Sequence, residues 1–394
     1  MKIIAYCLLM GGFATALFSC KKSKEAPAPV TVVNPPVNNP PEVAKELVYT
    51  GYGDTALSIG RRGMAAVGLG NKIFFAGGLI ETAAFSGPVS QRINTDKIDI
   101  YDVQTGKWSS AKLSHPSAYL AAAAAGSKVI FAGGTDGNGH TWNSADIYDT
   151  LTGQIKTDTL SVGRYLLAAA AAGNKIVFAG GYALAGVSAA VDIYDVQTGQ
   201  WTKSALSGAR YSLAGAASGN TILFAGGVNS SSAIVPDADI YDVQKGTWTK
   251  TSLSEGRMGL AAAAAGNKIV FGGGTTKMFT GSAAVDVYDV QGGAWSTAAL
   301  NTPRMLMAAA GIGDRVVFAG GTTPWEGPTN TMEVYDVKAG KIMPISYLLK
   351  EKRVEAAAAA AGNKLLVAGG HLQVSVGATT TYTNFRTVDF FEWR

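Results

Sequence analysis

Residues 164–181 read RYLLAAAAAGNKIVFAGG and contain the pattern that decides the fold. An alanine run is followed by a Gly-Asn-Lys turn and then by a hydrophobic strand that ends in two glycines. Glycine and asparagine accept positive φ, so this turn is typical of a tight β-hairpin. The Gly-Gly ending recurs at intervals of 46 to 56 residues, beginning at Gly77, Gly133, Gly180, Gly226, Gly273, Gly320 and Gly369. A period of this length in an all-β pattern predicts radially repeated blades.

Two more strands complete each repeat. In the third copy, residues 191–196 and a strand beginning at Trp201 flank a Thr-Gly turn. We therefore expect four antiparallel strands per repeat, A to D from the centre outward, and an all-β fold: a seven-bladed β-propeller. The last repeat lacks strand D, whereas Tyr52 and residues 57–61 match the spacing of Trp201 and residues 206–210. The N-terminal strand is predicted to complete the last blade, which would remove free sheet edges.

The alanine runs at 121–125, 168–172, 261–265 and 356–361 favour helix on propensity alone. Their recurrence at strand A indicates the innermost strand instead, where blades converge and only small side chains fit. Short isolated helices between hairpins are the alternative.

The repeat resembles the kelch repeat over residues 47–394: Gly-Gly closes strand B, Tyr-Asp lies in strand C, Trp lies in strand D, and Arg precedes strand A. The tyrosine recurs as Tyr101, Tyr148, Tyr194, Tyr241, Tyr288 and Tyr335, and the tryptophan as Trp108, Trp201, Trp248 and Trp295. Ile155 and Ile342 replace the tryptophan in the second and sixth repeats. A quinoprotein-type propeller shares some of these residues but lacks the Gly-Gly.

The N-terminus predicts export and a lipid anchor. Residues 1–19 read as a signal peptide, because a basic residue precedes a hydrophobic run too short to span a bilayer. Leu-Phe-Ser-Cys at 17–20 resembles a bacterial lipobox, which implies lipidation of Cys20; an ordinary cleaved signal is the alternative. Residues 20–45 are then a Pro/Asn-rich tether, and residues 46–394 the propeller. This implies an outer-membrane lipoprotein, either periplasmic or surface-exposed.

Charge and cysteine content narrow the classes of partner. The net charge is +5, but four lysines lie within the first 24 residues, so the basic cluster indicates a tether beside the membrane and no nucleic-acid partner. Cys7 would leave with the signal peptide, and an acylated Cys20 could form no disulfide.

The B–C and D–A loops share one face, and the long B–C loops vary most, which is typical of a binding surface. An arginine precedes most A strands on this face: Arg61 (or Arg62), Arg164, Arg210, Arg257, Arg304 and Arg353, with Ser117 in the second repeat. These arginines are predicted to ring the channel mouth, where guanidinium groups bind carboxylate or sulfate. Alternatively, they tie the blades together through backbone carbonyls and acidic partners.

Aromatic residues in the same loops are candidates for sugar or protein contacts: Phe85, Trp142, Tyr182, Phe279, Trp325, Tyr382 and Phe385. Alternatively, some of these side chains only pack their loops onto the blades.

No catalytic or metal motif stands out. His115, His140 and His371 lie in different repeats without metal-ligand spacing, so we expect no metal and no cofactor. Copper radical oxidases share the kelch propeller but need a free cysteine. Exported kelch-type sialic-acid mutarotases are the better enzyme analogy. The candidate acids and bases are Glu81, Glu255, Glu326, Glu351, Glu355 and His371.

The sequence thus predicts an envelope-anchored, noncatalytic binding module for a glycan or a partner protein on the B–C/D–A face. The alternatives are a sugar mutarotase or epimerase and a purely structural envelope spacer.

Overall fold

The computed structural model describes residues 45–54, 56–82, 91–277, 280–344, 347–376 and 379–394. Within these ranges the chain forms only strands, turns and irregular segments, and its sheets are antiparallel. The all-β prediction is confirmed, and the alanine runs are strands. The predicted signal peptide, Cys20 and nearly all of the predicted tether lie outside the described residues, as do Phe85 and Phe279.

Strand A begins each repeat and lies at one edge of its sheet, at Ala65–Leu69, Ala121–Ala125, Ala168–Ala172, Ala214–Ser218, Ala261–Ala265, Ala308–Ile312 and Ala357–Ala361. Strand B pairs with it, at Lys72–Ala76, Lys128–Ala132, Lys175–Ala179, Thr221–Ala225, Lys268–Gly272, Arg315–Ala319 and Lys364–Ala368. The two are joined by the predicted tight turns, with positive φ at a glycine such as Gly173.

Strand C follows on the far side of strand B, at Lys97–Asp102, Ser144–Asp149, Ala190–Asp195, Asp237–Asp242, Thr280–Asp289, Thr331–Asp336 and Val388–Trp393. Outer strands pair with it at Lys107–Lys112, Ile155–Thr159, Gln200–Ala205, Thr247–Ser252, Ala294–Arg304 and the two short segments Lys341–Ile342 and Tyr347–Leu348. In the last sheet the outer strand is Leu47–Gly53, paired from Leu47 opposite Trp393 to Gly53 opposite Val388.

Short strands in the B–C and D–A loops lie at Leu79–Thr82, Gln91–Asn94, Arg164–Tyr165, Tyr182–Ala183, Gly186–Val187, Arg210–Tyr211, Val228–Asn229, Thr275–Lys277, Thr322–Thr323, Gly327–Pro328, His371–Val376 and Thr379–Asn384.

The core lies between neighbouring sheets. Phe178 of strand B is fully buried and belongs to a cluster with Ile130 of the preceding repeat. On the outer side Tyr194 stands opposite Trp201, with ring centroids 5.0 Å apart. Each sheet therefore buries its apolar surface against the next, as expected for stacked repeats.

Small residues allow the A strands to approach one another. Each A strand contacts that of the next repeat, and Ala65–Leu69 also contacts Ala357–Ala361. A Cβ added to Gly68 would lie 1.8 Å from the carbonyl oxygen of Ala360, so no side chain fits there. A cavity of about 210 Å³ between these strands is lined by Val67 and by alanines and one glycine of the second to fourth repeats.

Candidate functional site

The arginine that precedes strand A lies in the interior. The Arg164 side chain donates to the carbonyl oxygens of Gly180 (2.8 Å), Val162 (3.0 Å) and Phe178 (3.3 Å), and to the Asp192 carboxylate (2.7 Å). Its side chain has no exposed surface. Burial lowers its pKa, although Asp192 opposes the shift. One side chain thus ties strand B, strand C and the D–A loop of a single repeat together.

The other five predicted arginines share this position. All are at most 1% exposed and pair with a buried carboxylate on strand C. The pairs are Arg61–Asp99, Arg210–Asp239, Arg257–Asp286, Arg304–Glu333 and Arg353–Asp389. The expectation that these guanidinium groups face a ligand at the channel mouth is therefore not met, because buried carbonyls and carboxylates occupy their donors. Their geometry supports the architectural alternative.

The second repeat lacks this ion pair. Ser117 takes the arginine position and donates to the carbonyl oxygen of Gly133 at 3.0 Å. Asp146, 3% exposed, accepts from the amide and hydroxyl of Ser114 and from the Thr157 hydroxyl. It keeps its hydrogen bonds but has no cationic partner among the described residues.

Two residues beyond each arginine position, the chain forms a ring of hydrogen bonds. Its members, here called the mouth ring, are Gly63, Tyr119, Leu166, Ser212, Gly259, Leu306 and Glu355. Each amide donates to the carbonyl of the preceding member, as Tyr119 does to Gly63 at 3.0 Å, and Gly63 donates to Glu355 at 3.4 Å. All seven have φ between 52° and 61°. The backbone is thus the same in every repeat, whereas the side chains differ.

Five charged or titratable residues gather beside the first and last members of the ring. This charged sector consists of Arg62, Glu81, Arg92, Glu355 and His371. Arg62 donates to Glu81 at 2.5 Å and to Glu355, and Arg92 donates to Glu81 at 2.9 Å. His371 Nδ1 lies 3.9 Å from Glu355 Oε2. The sector joins the B–C loops of the first and last repeats to the mouth ring.

Neighbouring charges and burial set the protonation states of the sector. Burial raises the pKa of Glu355, but Arg62 and His371 outweigh it and hold that pKa below its usual value. Burial lowers the pKa of Arg62, yet Glu355, Tyr119 and Glu81 raise it above the ordinary arginine value. Burial lowers the pKa of His371, although Glu355 opposes this shift. At neutral pH these shifts leave Arg62 cationic, the Glu355 carboxyl ionised and the His371 imidazole neutral.

Tyrosines form a different part of the mouth, over the third and fourth repeats. The Tyr182 ring centroid lies 5.8 Å from that of Tyr165 and 5.4 Å from that of Tyr211, the latter pair edge-on. The mouth is therefore charged on one side and aromatic on another.

The predicted aromatic residues have different surroundings. Trp142 stacks on His115 with centroids 4.1 Å apart, and its indole donates to the Pro116 carbonyl oxygen at 3.2 Å. Trp325 is 87% exposed. Tyr382 lies beside His371, with centroids 6.4 Å apart.

The Phe385 ring centroid lies 5.7 Å from the guanidinium of the buried Arg353, so Phe385 packs against the arginine that joins the strands of the last repeat. Of the loop aromatics, Trp325 thus has the exposure of a docking residue, while Tyr182 and Tyr382 lie beside the mouth.

Three of the six predicted acids and bases, Glu81, Glu355 and His371, meet in the charged sector. Glu255 lies in the fifth repeat, where the Ser282 hydroxyl donates to it at 2.5 Å. Arg62 was an alternative to Arg61 in the sequence pattern, and Arg92 was not predicted. The available signal for Arg62 was that two arginines, 61 and 62, are consecutive, because only one of them can fill the buried position before strand A.

The described residues contain no group of three or more His, Cys, Asp and Glu side chains arranged to hold a metal ion. Within the same ranges, no helix has the length and hydrophobicity needed to span a membrane.

Comparison with known proteins supports the kelch resemblance. Residues 63–258 match the family model described as the KLHDC2/KLHL20/DRC7 Kelch-repeats domain. None of the curated proteins compared matches the chain. The features of the matched region, Gly-Gly, Tyr-Asp and the buried arginine, continue through residue 394. The chain therefore contains a kelch-repeat domain that includes residues 63–258.

Proposed function

We propose that this kelch-repeat protein is a noncatalytic interaction module that binds a glycan or a partner protein at the mouth ring and the surrounding B–C/D–A loops. One observation carries the proposal: the mouth ring repeats one backbone conformation but carries five different residue types, Gly, Tyr, Leu, Ser and Glu, at its seven positions. A fixed scaffold with variable side chains on one face is the usual arrangement of a repeat-protein binding surface.

We also propose that the sheets form a closed, seven-bladed propeller. The antiparallel pairing of Leu47–Gly53 with Val388–Trp393 supports closure, as does the contact between the first and last A strands. The hydrogen bond from Gly63 to Glu355 is a third observation in its favour. A closed ring would hold the mouth side chains in fixed positions, which reduces the entropy lost on binding.

The proposal is tested by ligand capture with paired variants. Leu166→Gly alters the mouth ring, and Trp325→Ala removes the most exposed of the described loop aromatics. Leu151→Ala serves as the control, since Leu151 is 83% exposed and lies in the C–D turn, outside the loop face. We expect glycan arrays or cross-linking in intact cells to give a partner that the control retains and the loop-face variants lose. Equal capture by all three would contradict the proposal.

A sugar mutarotase or epimerase is the second candidate, favoured by the meeting of Glu81, Glu355 and His371. An ionised carboxylate and a neutral imidazole beside it can exchange a proton with a sugar hydroxyl. Turnover of anomerically pure sugars by the wild type, abolished by Glu355→Gln even at saturating sugar, would establish the enzyme. Sugar binding without turnover would instead support the noncatalytic interaction module.

The envelope location stays a proposal based on residues 17–20. Cys20→Ser should release the protein from membranes if Cys20 is lipidated. Persistent membrane association would contradict this anchor.

A further inference from the structure

We infer that the charged sector binds a neutral, polyhydroxylated ligand of the sugar class. This inference rests on the proposal that the mouth is a binding surface, and it specifies the ligand of one part of that surface. It departs from the acidic ligand that an exposed arginine ring would have favoured.

The charge balance of the sector argues for a neutral ligand. Arg62 contacts both carboxylates and Arg92 contacts Glu81, so two guanidinium ions face two carboxylates. Arg62, Glu81 and Glu355 are largely removed from water, with side chains at most 15% exposed, whereas Arg92 lies at the exposed edge of the sector with 30% of its side chain accessible. A ligand carboxylate or ammonium would have to displace one of these partners or enter as an unpaired charge, and both are unfavourable in a poorly solvated site.

His371 provides an unused polar atom in this site. Its side chain is 8% exposed, and Nδ1 has no hydrogen-bond partner among the described residues. A buried polar atom without a partner destabilises the fold, so it requires an explanation. The 3.9 Å between Nδ1 and Glu355 Oε2 is too long for a direct hydrogen bond.

A hydroxyl group suits this pair. With the imidazole protonated at Nδ1, one ligand hydroxyl could accept from Nδ1–H and donate to the Glu355 carboxylate. A carboxylate ligand could not donate to Glu355, and an ammonium could not accept from the imidazole. A ligand with several hydroxyls could also accept from the Arg92 terminal nitrogens.

Two tyrosines lie beside the same residues. Tyr382 lies beside His371, and Tyr119 accepts a hydrogen bond from Arg62 at 3.1 Å. Tyrosine combines an apolar ring face with a polar hydroxyl, as required by a sugar with C–H faces and hydroxyl edges. Asn384 braces the sector by donating to the carbonyl oxygen of Glu81 at 2.6 Å.

Titration calorimetry of the full-length chain with matched probes tests the inference. Glucose, galactose and mannose serve as neutral probes, with glucuronic acid, galacturonic acid and the amine glucosamine as charged counterparts. We expect a neutral sugar to bind at least tenfold more tightly than its charged counterpart. Glu355→Gln and Tyr382→Ala should each weaken that binding at least tenfold, and His371→Ala should do the same.

Glu392→Gln is the control, because Glu392 pairs with Lys364 at the opposite end of the last sheet. Thermal melts identify any variant that fails to fold. If Glu355→Gln and His371→Ala fail to fold, Tyr382→Ala still tests the inference.

Tighter binding of the uronic acids or of glucosamine would overturn the neutral class while retaining the mouth as a binding site. Sugar binding unchanged in all three variants would overturn the assignment to the charged sector. If no sugar binds but Leu166→Gly still abolishes partner capture, the sugar inference fails and the interaction module stands. If no sugar binds and Leu166→Gly also leaves partner capture unaffected, the sugar inference and the proposed interaction module both fail.

Discussion

The amide of Gly63 donates a hydrogen bond to the carbonyl oxygen of Glu355, and this bond joins the mouth of the first repeat to that of the last. The two residues have nearly the same backbone conformation, with φ of 61° and 52°. The charged sector lies next to this bond. The integrity of the candidate site therefore depends on the contact between the two ends of the repeat array.

Leu47→Ala should lower the free energy of unfolding by about 2–5 kcal/mol. Leu47 is 4% exposed and packs in a cluster with Leu349, Leu365 and Phe391, so the shorter side chain leaves a cavity. Urea denaturation measures the change. The exposed Leu151→Ala is the matched control and should shift stability by less than about 0.5 kcal/mol. Equal effects of the two substitutions would refute the structural role of the N-terminal strand.

Arg164→Met should destabilise the protein by about 3–5 kcal/mol, because it leaves the buried Asp192 carboxylate without its cation. Methionine keeps most of the side-chain length, so the loss reports charge and hydrogen bonding more than volume. Comparison with Arg164→Met/Asp192→Asn isolates the ion pair. We expect Arg164→Met to be less stable than Arg164→Met/Asp192→Asn. Equal stability of the two variants would contradict this interpretation.

Ser117→Arg should stabilise the protein by about 1–2 kcal/mol, since it supplies Asp146 with the ionic hydrogen bond found in the other repeats. The gain should appear as a higher melting temperature and should vanish in an Asp146→Asn background. Ser117→Met tests whether filling space is sufficient. A lower melting temperature for Ser117→Arg would mean that neighbouring side chains already occupy the guanidinium position.

Leu166→Gly should fold with unchanged or slightly higher stability while losing ligand capture. Leu166 has φ of 54°, a conformation that costs a residue with a Cβ about 1–2 kcal/mol and glycine almost nothing. The greater freedom of glycine in the unfolded chain offsets part of this gain. Thermal melts and the capture assay should be run on the same preparation. A strong loss of stability would show that the Leu166 side chain is structural.

Acidification should destabilise the wild type more than His371→Asn. Burial lowers the folded-state pKa of His371, so below about pH 6.5 the unfolded chain binds a proton before the folded protein does. This loss of folding stability from His371 is absent above that pH and grows as the pH falls towards the folded-state pKa. Melting temperatures measured from pH 8 to pH 5 for both proteins check the sign. Parallel curves would rule out a depressed pKa.

The framework could be predicted from the sequence because it repeats. A Gly-Gly after strand B, an alanine run in strand A and Tyr opposite Trp on strands C and D are local patterns, and each copy reinforces the others. The all-β fold and the strand character of the alanine runs followed from them. The buried arginine was predicted in position but left open in role, because its carboxylate partner lies about 28 residues away and only folding shows that no solvent separates them.

The charged sector was not predictable as a unit. Arg62, Glu81, Glu355 and His371 belong to the two ends of the described chain, and no spacing rule connects them. Glu355, for example, stands where the other repeats have Gly63, Tyr119, Leu166, Ser212, Gly259 and Leu306, so the repeat pattern gave no reason to group these residues.

The sequence by itself determined the strands, their order within each repeat and the kelch character, because hydrophobic period, turn chemistry and repetition are properties of neighbouring residues. The tertiary structure decided which polar residues are buried in the framework and which meet at the mouth. The physical reason is that desolvation and charge pairing depend on distance in space, and in a repeat array the side chains that differ between copies acquire their partners only when distant repeats are brought together.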